Sequence, residues 1–135
     1  MDLKTSLMVS ASGLRAQSLR MRVIAENLAN ADSVSRTAGG DPYRRRLPSF
    51  RSEVDRMSGA TGVAIDAIRT DRSAFQRVYQ PGSPAADADG YVKRPNVNSL
   101  IESADMKAAQ RSYEANLSAI EAAKSLTMRT IDLLK

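Results

Sequence analysis

The chain has 135 residues, no cysteine, no histidine and a formal net charge of +5. The two absences exclude a disulfide framework, a thiolate nucleophile, a Cys/His zinc site and a Ser-His-Asp arrangement. Aromatic residues make up only 4% of the chain, so we do not expect a well-filled globular core. The charge allows an acidic partner but is modest for a dedicated nucleic-acid-binding protein.

Residues 1–35 are predicted to form one long amphipathic helix, over residues 3–30. They contain no proline and a single glycine. Leucine or methionine recurs every seven residues, which is typical of a narrow coiled-coil-like seam. The complementary heptad position holds Leu3 and Ile24, with the polar Ser10 and Gln17 between them. We therefore predict that this helix packs through Leu7, Leu14, Met21, Ile24 and Leu28.

The same segment lacks the continuous apolar stretch of a secretory signal, because Arg15, Arg20, Arg22 and Glu26 interrupt it. Elsewhere, no run of the sequence reaches the roughly 18 apolar residues that a membrane helix needs. We therefore expect neither a cleaved signal peptide nor a membrane-spanning segment.

Residues 36–98 contain all five prolines and six of the seven glycines, which predicts turns and short strands instead of long helices. Residues 63–68 and 75–79 are strand-like runs separated by a polar stretch. We predict that these two runs pair as one β-hairpin. A turn is predicted at residues 80–84 and extended chain at residues 91–95.

Residues 99–135 are predicted to form a second long helix. Pro95 disfavours helix before it, and Ser99 and Glu102 have the spacing of a capping box, in which each side chain bonds a backbone N–H group. An apolar stripe then follows the helical period. Its predicted packing residues are Met106, Tyr113, Leu117, Ile120 and Ile131.

The predicted fold is mainly α, with the N- and C-terminal helices packed antiparallel as a coiled-coil-like pair around an extended, short-β-hairpin middle segment. The segments are residues 1–35, 36–98 and 99–135, and the terminal helices form one unit. Such a pair buries only a thin seam, so we expect its helical order to depend on neighbouring subunits. The alternative is an ordinary two-helix hairpin capped by its insert.

Little in the sequence points to catalysis. Asp87 and Asp89 resemble the opening of a calcium loop, but Asn98 stands where an EF-hand needs a bidentate carboxylate. There is no phosphate-binding glycine motif, and Glu102 and Asp105 suit a helix N-terminus better than acid–base chemistry. We predict that the protein is not an enzyme and has no catalytic residue, cofactor or metal site.

Two polar groups are candidates for contacts with a partner. Arg44, Arg45 and Arg46 form the strongest charge cluster, suited to phosphate or to the carboxylates of a neighbouring subunit, and we favour the protein contact. Asn27 and Asn30 either end the first helix or bond a partner backbone, and their spacing does not separate these interpretations.

Six stretches of the chain resemble the flagellar rod, hook and filament proteins of bacteria, and more narrowly the basal-body rod family. The resemblance runs almost end to end. The stretches are residues 12–17 (SGLRAQ), 25–31 (AENLANA), 42–45 (PYRR), 78–88 (VYQPGSPAADA), 90–98 (GYVKRPNVN) and 106–116 (MKAAQRSYEAN).

The resemblance implies a structural subunit of the proximal rod, the drive shaft that crosses the periplasm, exported by the flagellar type III apparatus without a cleaved signal. The implied partners are copies of the chain, the rod proteins FlgB, FlgF and FlgG, the base protein FliE and the export apparatus, with no nucleic acid and no membrane insertion. Polar contacts between subunits are then assigned to Asn27, Asn30, Arg44, Arg45, Arg46 and Asn116. A small basic helical nucleic-acid-binding protein and a small adaptor or chaperone are the alternatives.

Overall fold

The computed structural model describes residues 2–135, which form two long helices and two small two-stranded sheets. The elements in chain order are α1 (Leu3–Ala29), β1 (Arg46–Val54), β2 (Thr61–Thr70), β3 (Gln76–Tyr79), β4 (Tyr91–Arg94) and α2 (Ser99–Leu133). The prediction of two long helices joined by a short-stranded middle segment is confirmed. Within residues 2–135, neither helix combines the length and hydropathy that crossing a membrane requires.

Side chains just outside the helices satisfy the first N–H groups of each one. Asp2 Oδ1 accepts the N–H of Thr5 at 2.7 Å, and Asn98 Oδ1 accepts the N–H of Leu100 at 3.0 Å. The capping box predicted at Ser99 is wrong, because Asn98 is the cap and Ser99 is already the first helical residue. The carboxylate of Glu102 is free to bind elsewhere.

The predicted pairing of residues 63–68 with residues 75–79 is also wrong. Strand β2 pairs with β1, and β3 pairs antiparallel with β4, in a register that runs from Gln76 opposite Arg94 to Tyr79 opposite Tyr91. The sequence pattern hid β1, because a proline and three charged residues interrupt its apolar alternation.

Local hydrogen bonds explain this choice of partners. Asp55 and Gly59 close the β1–β2 turn, with the Gly59 N–H donating to the Asp55 carbonyl at 2.7 Å and Gly59 at a φ of +71°. At the other end, the Asp71 N–H donates to the Arg45 carbonyl at 2.7 Å, which extends the pairing of β1 with β2. The polar stretch after β2 therefore continues that hairpin and does not turn back into β3.

The described chain divides into two compact units, each of which contains a part of both helices. Unit 1 holds the described residues up to Met21, together with Pro48–Ala67 and Lys107–Lys135. Its buried residues are mostly small: Ser12, Ala16, Leu19, Ala109 and Ala123. Because small side chains let backbones approach closely, the parts of α1 and α2 in this unit pack at short range.

Two neighbouring residues of α1 contact other elements of unit 1. The Ser12 hydroxyl accepts the N–H of Val63 in β2 at 3.0 Å and donates to the carbonyl of Val9 at 2.7 Å. Gly13 faces Asn116 of α2 so closely that a Cβ at Gly13 would lie 2.8 Å from the Asn116 amide. Helix α1 thus contacts the β1–β2 hairpin through the Ser12 hydroxyl. It packs closely against α2 at Gly13, where it has no side chain.

Unit 2 holds Arg22–Leu47 and Ile68–Met106. Its buried residues are Val23, Ile24, Asn27, Ala85, Gly90, Val92, Pro95 and Glu102. Asn27 and Glu102 are each only 1% exposed, so an amide and a carboxylate stand where an apolar core would place hydrocarbon. Burial of these two polar groups requires that hydrogen-bond partners surround them.

Candidate functional site

The chain from Tyr43 to Arg46 runs between the end of α1 and the start of α2 in unit 2. We call Asn27, Tyr43, Arg45, Arg46 and Glu102 the polar hub, because each bonds at least one of the others. The segment leads directly into β1, which begins at Arg46. The three consecutive arginines reach three different parts of the unit.

Asn27 lies in the last turn of α1, and both polar atoms of its side-chain amide form hydrogen bonds within the chain. Its Oδ1 accepts the N–H of Arg46 at 2.9 Å and the hydroxyl of Tyr43 at 2.7 Å. Its Nδ2 donates to the Arg46 carbonyl at 2.9 Å and to Glu102 Oε2 at 3.2 Å. Burial raises the pKa of Tyr43, so the phenol stays protonated as this donor.

Arg45 is surrounded by carboxylates. Its Nε donates to Glu102 Oε1, while its terminal nitrogens lie 3.5 Å from Asp105 and 3.6 Å from Asp71. Hydrogen bonds from the N–H and hydroxyl of Ser73, with a further contribution from Arg45, lower the pKa of Asp71. The guanidinium therefore neutralises a buried carboxylate on α2 and joins it to the loop after β2.

The loop after β2, residues 71–75, is held by one side chain that precedes it in the sequence and one that follows it. Asn96 Nδ2 donates to the carbonyls of Asp71 and Ser73 at 3.0 and 3.2 Å. Arg44 donates to the same two carbonyls at 3.4 and 3.3 Å, and its guanidinium lies 4.1 Å from the ring centroid of Phe75. These contacts fix the loop beside the hub.

Known families match both helical parts of the chain. The family model described as "Flagella basal body rod protein" matches residues 7–36, and "Flagellar basal body rod FlgEFG protein C-terminal" matches residues 88–133. The chain is 51% identical to the flagellar basal-body rod protein FlgC of Agrobacterium fabrum over 127 residues, which is 94% of this chain and 91% of that protein. The FlgC proteins of Bacillus subtilis and Aquifex aeolicus are 41% and 39% identical over 96% and 100% of this chain, and over 97% and 99% of their own lengths. The chain belongs to the flagellar basal-body rod protein family.

The stretches that resemble the rod family also supply several contact residues of the two units. Ser12 and Gly13 lie in the first stretch, Asn27 in the second and Tyr43 in the third. Each of them contacts an element distant in sequence, as described above. In this rod-family chain the motif residues therefore join elements within the chain itself.

Four of the five predicted packing residues of α1 lie away from the face that this rod-family chain buries. At about 3.6 residues per turn, Leu7, Leu14, Met21 and Leu28 lie opposite the face formed by Ala16, Leu19 and Val23. These four are partly exposed, whereas Ile24 is 4% exposed. On α2, Met106, Tyr113 and Ile120 are partly buried, and Leu117 and Ile131 are exposed.

The six predicted polar contact residues differ in how far the chain itself engages them. Asn27 and Arg45 are held inside the hub, and Asn116 donates to the Ser112 carbonyl at 3.0 Å. Asn30 donates to the Glu26 carbonyl at 2.8 Å, and Arg44 donates to the carbonyls of Asp71 and Ser73. Arg46 is 45% exposed and pairs with Glu26 at 3.4 Å, so its guanidinium is open to a further partner.

Sequence reasoning missed the role of Glu102. We assigned it to a capping box or a helix dipole, yet it binds Arg45 and Asn27. The available signal was its position, since Glu102 precedes Met106, Ala109 and Tyr113 at helical spacing and so shares their covered face. A carboxylate on an apolar face indicates a buried cationic partner.

The Asp87 carboxylate stabilises the acidic turn through two hydrogen bonds to backbone N–H groups and one ion pair. Its Oδ1 accepts the N–H groups of Asp89 and Tyr91 at 3.0 and 2.9 Å, and its Oδ2 pairs with Arg77 at 3.0 Å. Within residues 2–135, no three acidic side chains come together as a metal ion would need.

Proposed function

We propose that this chain is a structural subunit of the bacterial flagellar basal-body rod, whose two long helices are completed by neighbouring subunits. Family membership supports the rod assignment and implies association with other rod and basal-body proteins. The observation that carries the proposal is the apolar side chain that α2 leaves exposed in the described chain, together with an apolar stripe on α1 that is only partly covered.

On α1, the heptad stripe of Leu7, Leu14, Met21 and Leu28 is only partly covered. Ser18 and Ala25, which lie on the same side of the helix, are exposed, so nothing in the described chain covers this side fully. A stripe of this width and spacing suits a second helix packing along it. We assign that helix to another subunit.

On α2, the last turns carry the largest apolar exposure. Ile131, near the end of α2, and Leu134, just after it, follow Thr127 at intervals of four and seven residues on the covered side, yet they are 46% and 83% exposed. Leu126 and Met128 on neighbouring faces are 52% and 60% exposed. The end of α2 therefore offers apolar surface on several sides to surrounding subunits.

The finer proposal places the subunit in the proximal rod, in the periplasm, with FlgB, FlgF, FlgG and FliE as partners. We further propose export through the flagellar type III apparatus as a largely unfolded chain without a cleaved signal, followed by folding at the growing end. The thin contacts of unit 1 support this, because small residues bury little area per chain. Antiparallel, coiled-coil-like packing of the terminal helices is part of the same proposal.

The arginine cluster does not favour the nucleic-acid alternative. Arg45 is engaged by Glu102, Asp105 and Asp71, and Arg44 binds two carbonyls and the ring of Phe75. Direct use of Arg45 on phosphate would leave a buried carboxylate unpaired. We propose instead that Arg46 and Asn30 take part in contacts between subunits.

The proposal is tested by placing a charge in the α1 stripe. Leu14→Asp should abolish rod assembly and motility while the variant is still exported, because a carboxylate in a helix seam is unfavourable to bury. Arg22→Asp, at an exposed position off the stripe on the same helix, is the control and should retain motility. Export is measured in the culture supernatant and assembly by electron microscopy of isolated basal bodies. Normal motility of Leu14→Asp would contradict the proposal.

A further inference from the structure

Glu102 has a buried carboxylate in the first turns of α2. It is 1% exposed, and its two oxygens accept from Arg45 Nε and from Asn27 Nδ2. An unpaired carboxylate at such a position is strongly unfavourable. This part of α2 is therefore stable in its buried position only while both donors are in place.

Arg45 depends in turn on residues far from it in sequence. Its N–H donates to Asn96 Oδ1 at 2.7 Å, and its carbonyl accepts from the Asp71 N–H at 2.7 Å. Asn96 also holds the carbonyls of Asp71 and Ser73. The guanidinium therefore reaches Glu102 only from a backbone that the loop after β2 and the chain before α2 have already fixed.

Asn27 connects the same network to α1. It is 1% exposed and bonds both the N–H and the carbonyl of Arg46, so its side chain extends the pairing of β1 as a backbone group would. The loss of any one partner would leave buried donors or acceptors of the others unsatisfied. Such a network is stabilising when complete and unfavourable when partial.

We propose that the polar hub is a conformational latch within unit 2. The last turns of α1, the first turns of α2 and residues 43–47 with 68–73 become ordered in one cooperative step, and none of them keeps its native contacts without the others. The hub thereby prevents the middle segment of unit 2 from ordering while α2 is undocked. The inference concerns the folding of the chain itself and does not depend on the proposed function.

Hydrogen exchange of the chain in isolated basal bodies, followed by mass spectrometry, tests the latch, because the subunits proposed to complete both helices are then present. Arg45→Met should raise exchange rates about tenfold or more, and together, in peptides covering residues 22–29, residues 43–47 with 68–73, and residues 100–106. Arg77→Met is the matched control, because it removes an ion pair in the same unit in which Arg77 is 53% exposed. It should leave all three regions unchanged.

A second pair of variants separates a coupled network from a general loss of stability. Arg45→Met combined with Glu102→Leu removes both charges, so the double variant should exchange more slowly than Arg45→Met in all three regions. If Arg45→Met does not fold, Glu102→Gln decides the matter. It keeps the shape of the side chain and should accelerate the same three regions together by a smaller factor.

Two results would overturn the proposal. One is faster exchange confined to residues 43–47 in Arg45→Met or in Glu102→Gln, with the ends of both helices unchanged. The other is a double variant that exchanges faster than Arg45→Met by the full factor that Glu102→Leu produces alone, since Arg45 and Glu102 would then act independently.

Discussion

The two compact units join parts of the same two helices by different chemistry. In unit 1, the Ser12 hydroxyl joins α1 to β2, and Gly13 lets α1 approach Asn116 of α2 closely. The buried residues of this unit are mostly alanine. In unit 2, Asn27, Arg45 and Glu102 do so through a buried polar network that includes an ion pair.

This difference predicts how each unit responds to substitution. A contact between small residues changes gradually, because a side chain of moderate size is accommodated by small shifts of its neighbours. A buried polar network changes abruptly, because each missing partner leaves other buried groups unsatisfied. Substitutions in unit 2 should therefore be the more destabilising.

The largest effect is expected from Asn27→Leu in unit 2. It removes four hydrogen bonds and leaves the N–H and carbonyl of Arg46 without that partner, so the free energy of unfolding should fall by about 3 kcal/mol or more. Asn30→Leu, which removes one bond to the Glu26 carbonyl, should change it by less than about 1 kcal/mol. Urea unfolding followed by circular dichroism measures both. Equal losses of stability in the two variants would show that the buried bonds of Asn27 in the polar hub contribute no more than the single bond of Asn30.

The next effect is expected from Gly13→Leu in unit 1. A Cβ at this position would lie 2.8 Å from the Asn116 amide, so the larger side chain should destabilise the chain by about 2 kcal/mol. When the Asn116 side chain is removed, a side chain at position 13 should no longer be unfavourable. In an Asn116→Ala background, Gly13→Ala should therefore raise the free energy of unfolding by about 0.5–1 kcal/mol, because alanine has the higher helix propensity. The same urea unfolding experiment measures both values. A similar cost of Gly13→Ala in both backgrounds would show that close packing on Asn116 is not the reason for the glycine.

A smaller effect is expected from Ser12→Ala. The substitution leaves the Val63 N–H without its acceptor at 3.0 Å, which should lower the free energy of unfolding by about 1 kcal/mol. Ser18→Ala on the exposed side of α1 is the control and should be neutral or slightly stabilising. Hydrogen exchange should be faster at the Val63 amide in the Ser12 variant alone, and unchanged exchange there would contradict the assignment.

The smallest effect on stability is expected from protonation of Asp71 at low pH. The pKa of Asp71 in the folded chain is lowered by its bonds to Ser73 and by Arg45, so its contribution to stability is present above the unfolded pKa of about 3.9. This contribution is lost as the pH falls through the lower folded pKa. Asp71→Asn should therefore reduce the fall in stability below about pH 4, measured as the melting temperature against pH. Asp132→Asn, 68% exposed at the end of α2, should leave the profile unchanged. Identical profiles for the two variants would exclude a role for Asp71.

The local parts of the fold were predictable from the sequence. Absence of proline and a helical period placed helices over residues 3–30 and from Ser99 onward, and the structure has them at Leu3–Ala29 and Ser99–Leu133. The turn after β3 and the extended chain of β4 were likewise correct. These features depend on residues that are close together in the chain, and their preferences are readable one segment at a time.

Strand pairing and the polar hub were not predictable in this way. The partner of β2 is β1, and the partner of Glu102 is Arg45, 57 residues earlier in the chain. A periodic pattern indicates which face of an element is covered, but it does not indicate which distant segment covers it.

Length, composition and period thus determined two long helices with narrow apolar stripes, and they excluded Cys- and His-dependent chemistry. Tertiary contacts determined that Asn27 and Glu102 are buried, that Arg45 is held among carboxylates of its own chain, and that the heptad stripe of α1 lies opposite its buried face. The physical reason is that a buried charge or amide is stable only beside specific partners. In this chain those partners come together only when segments from both sides of the middle region fold against each other.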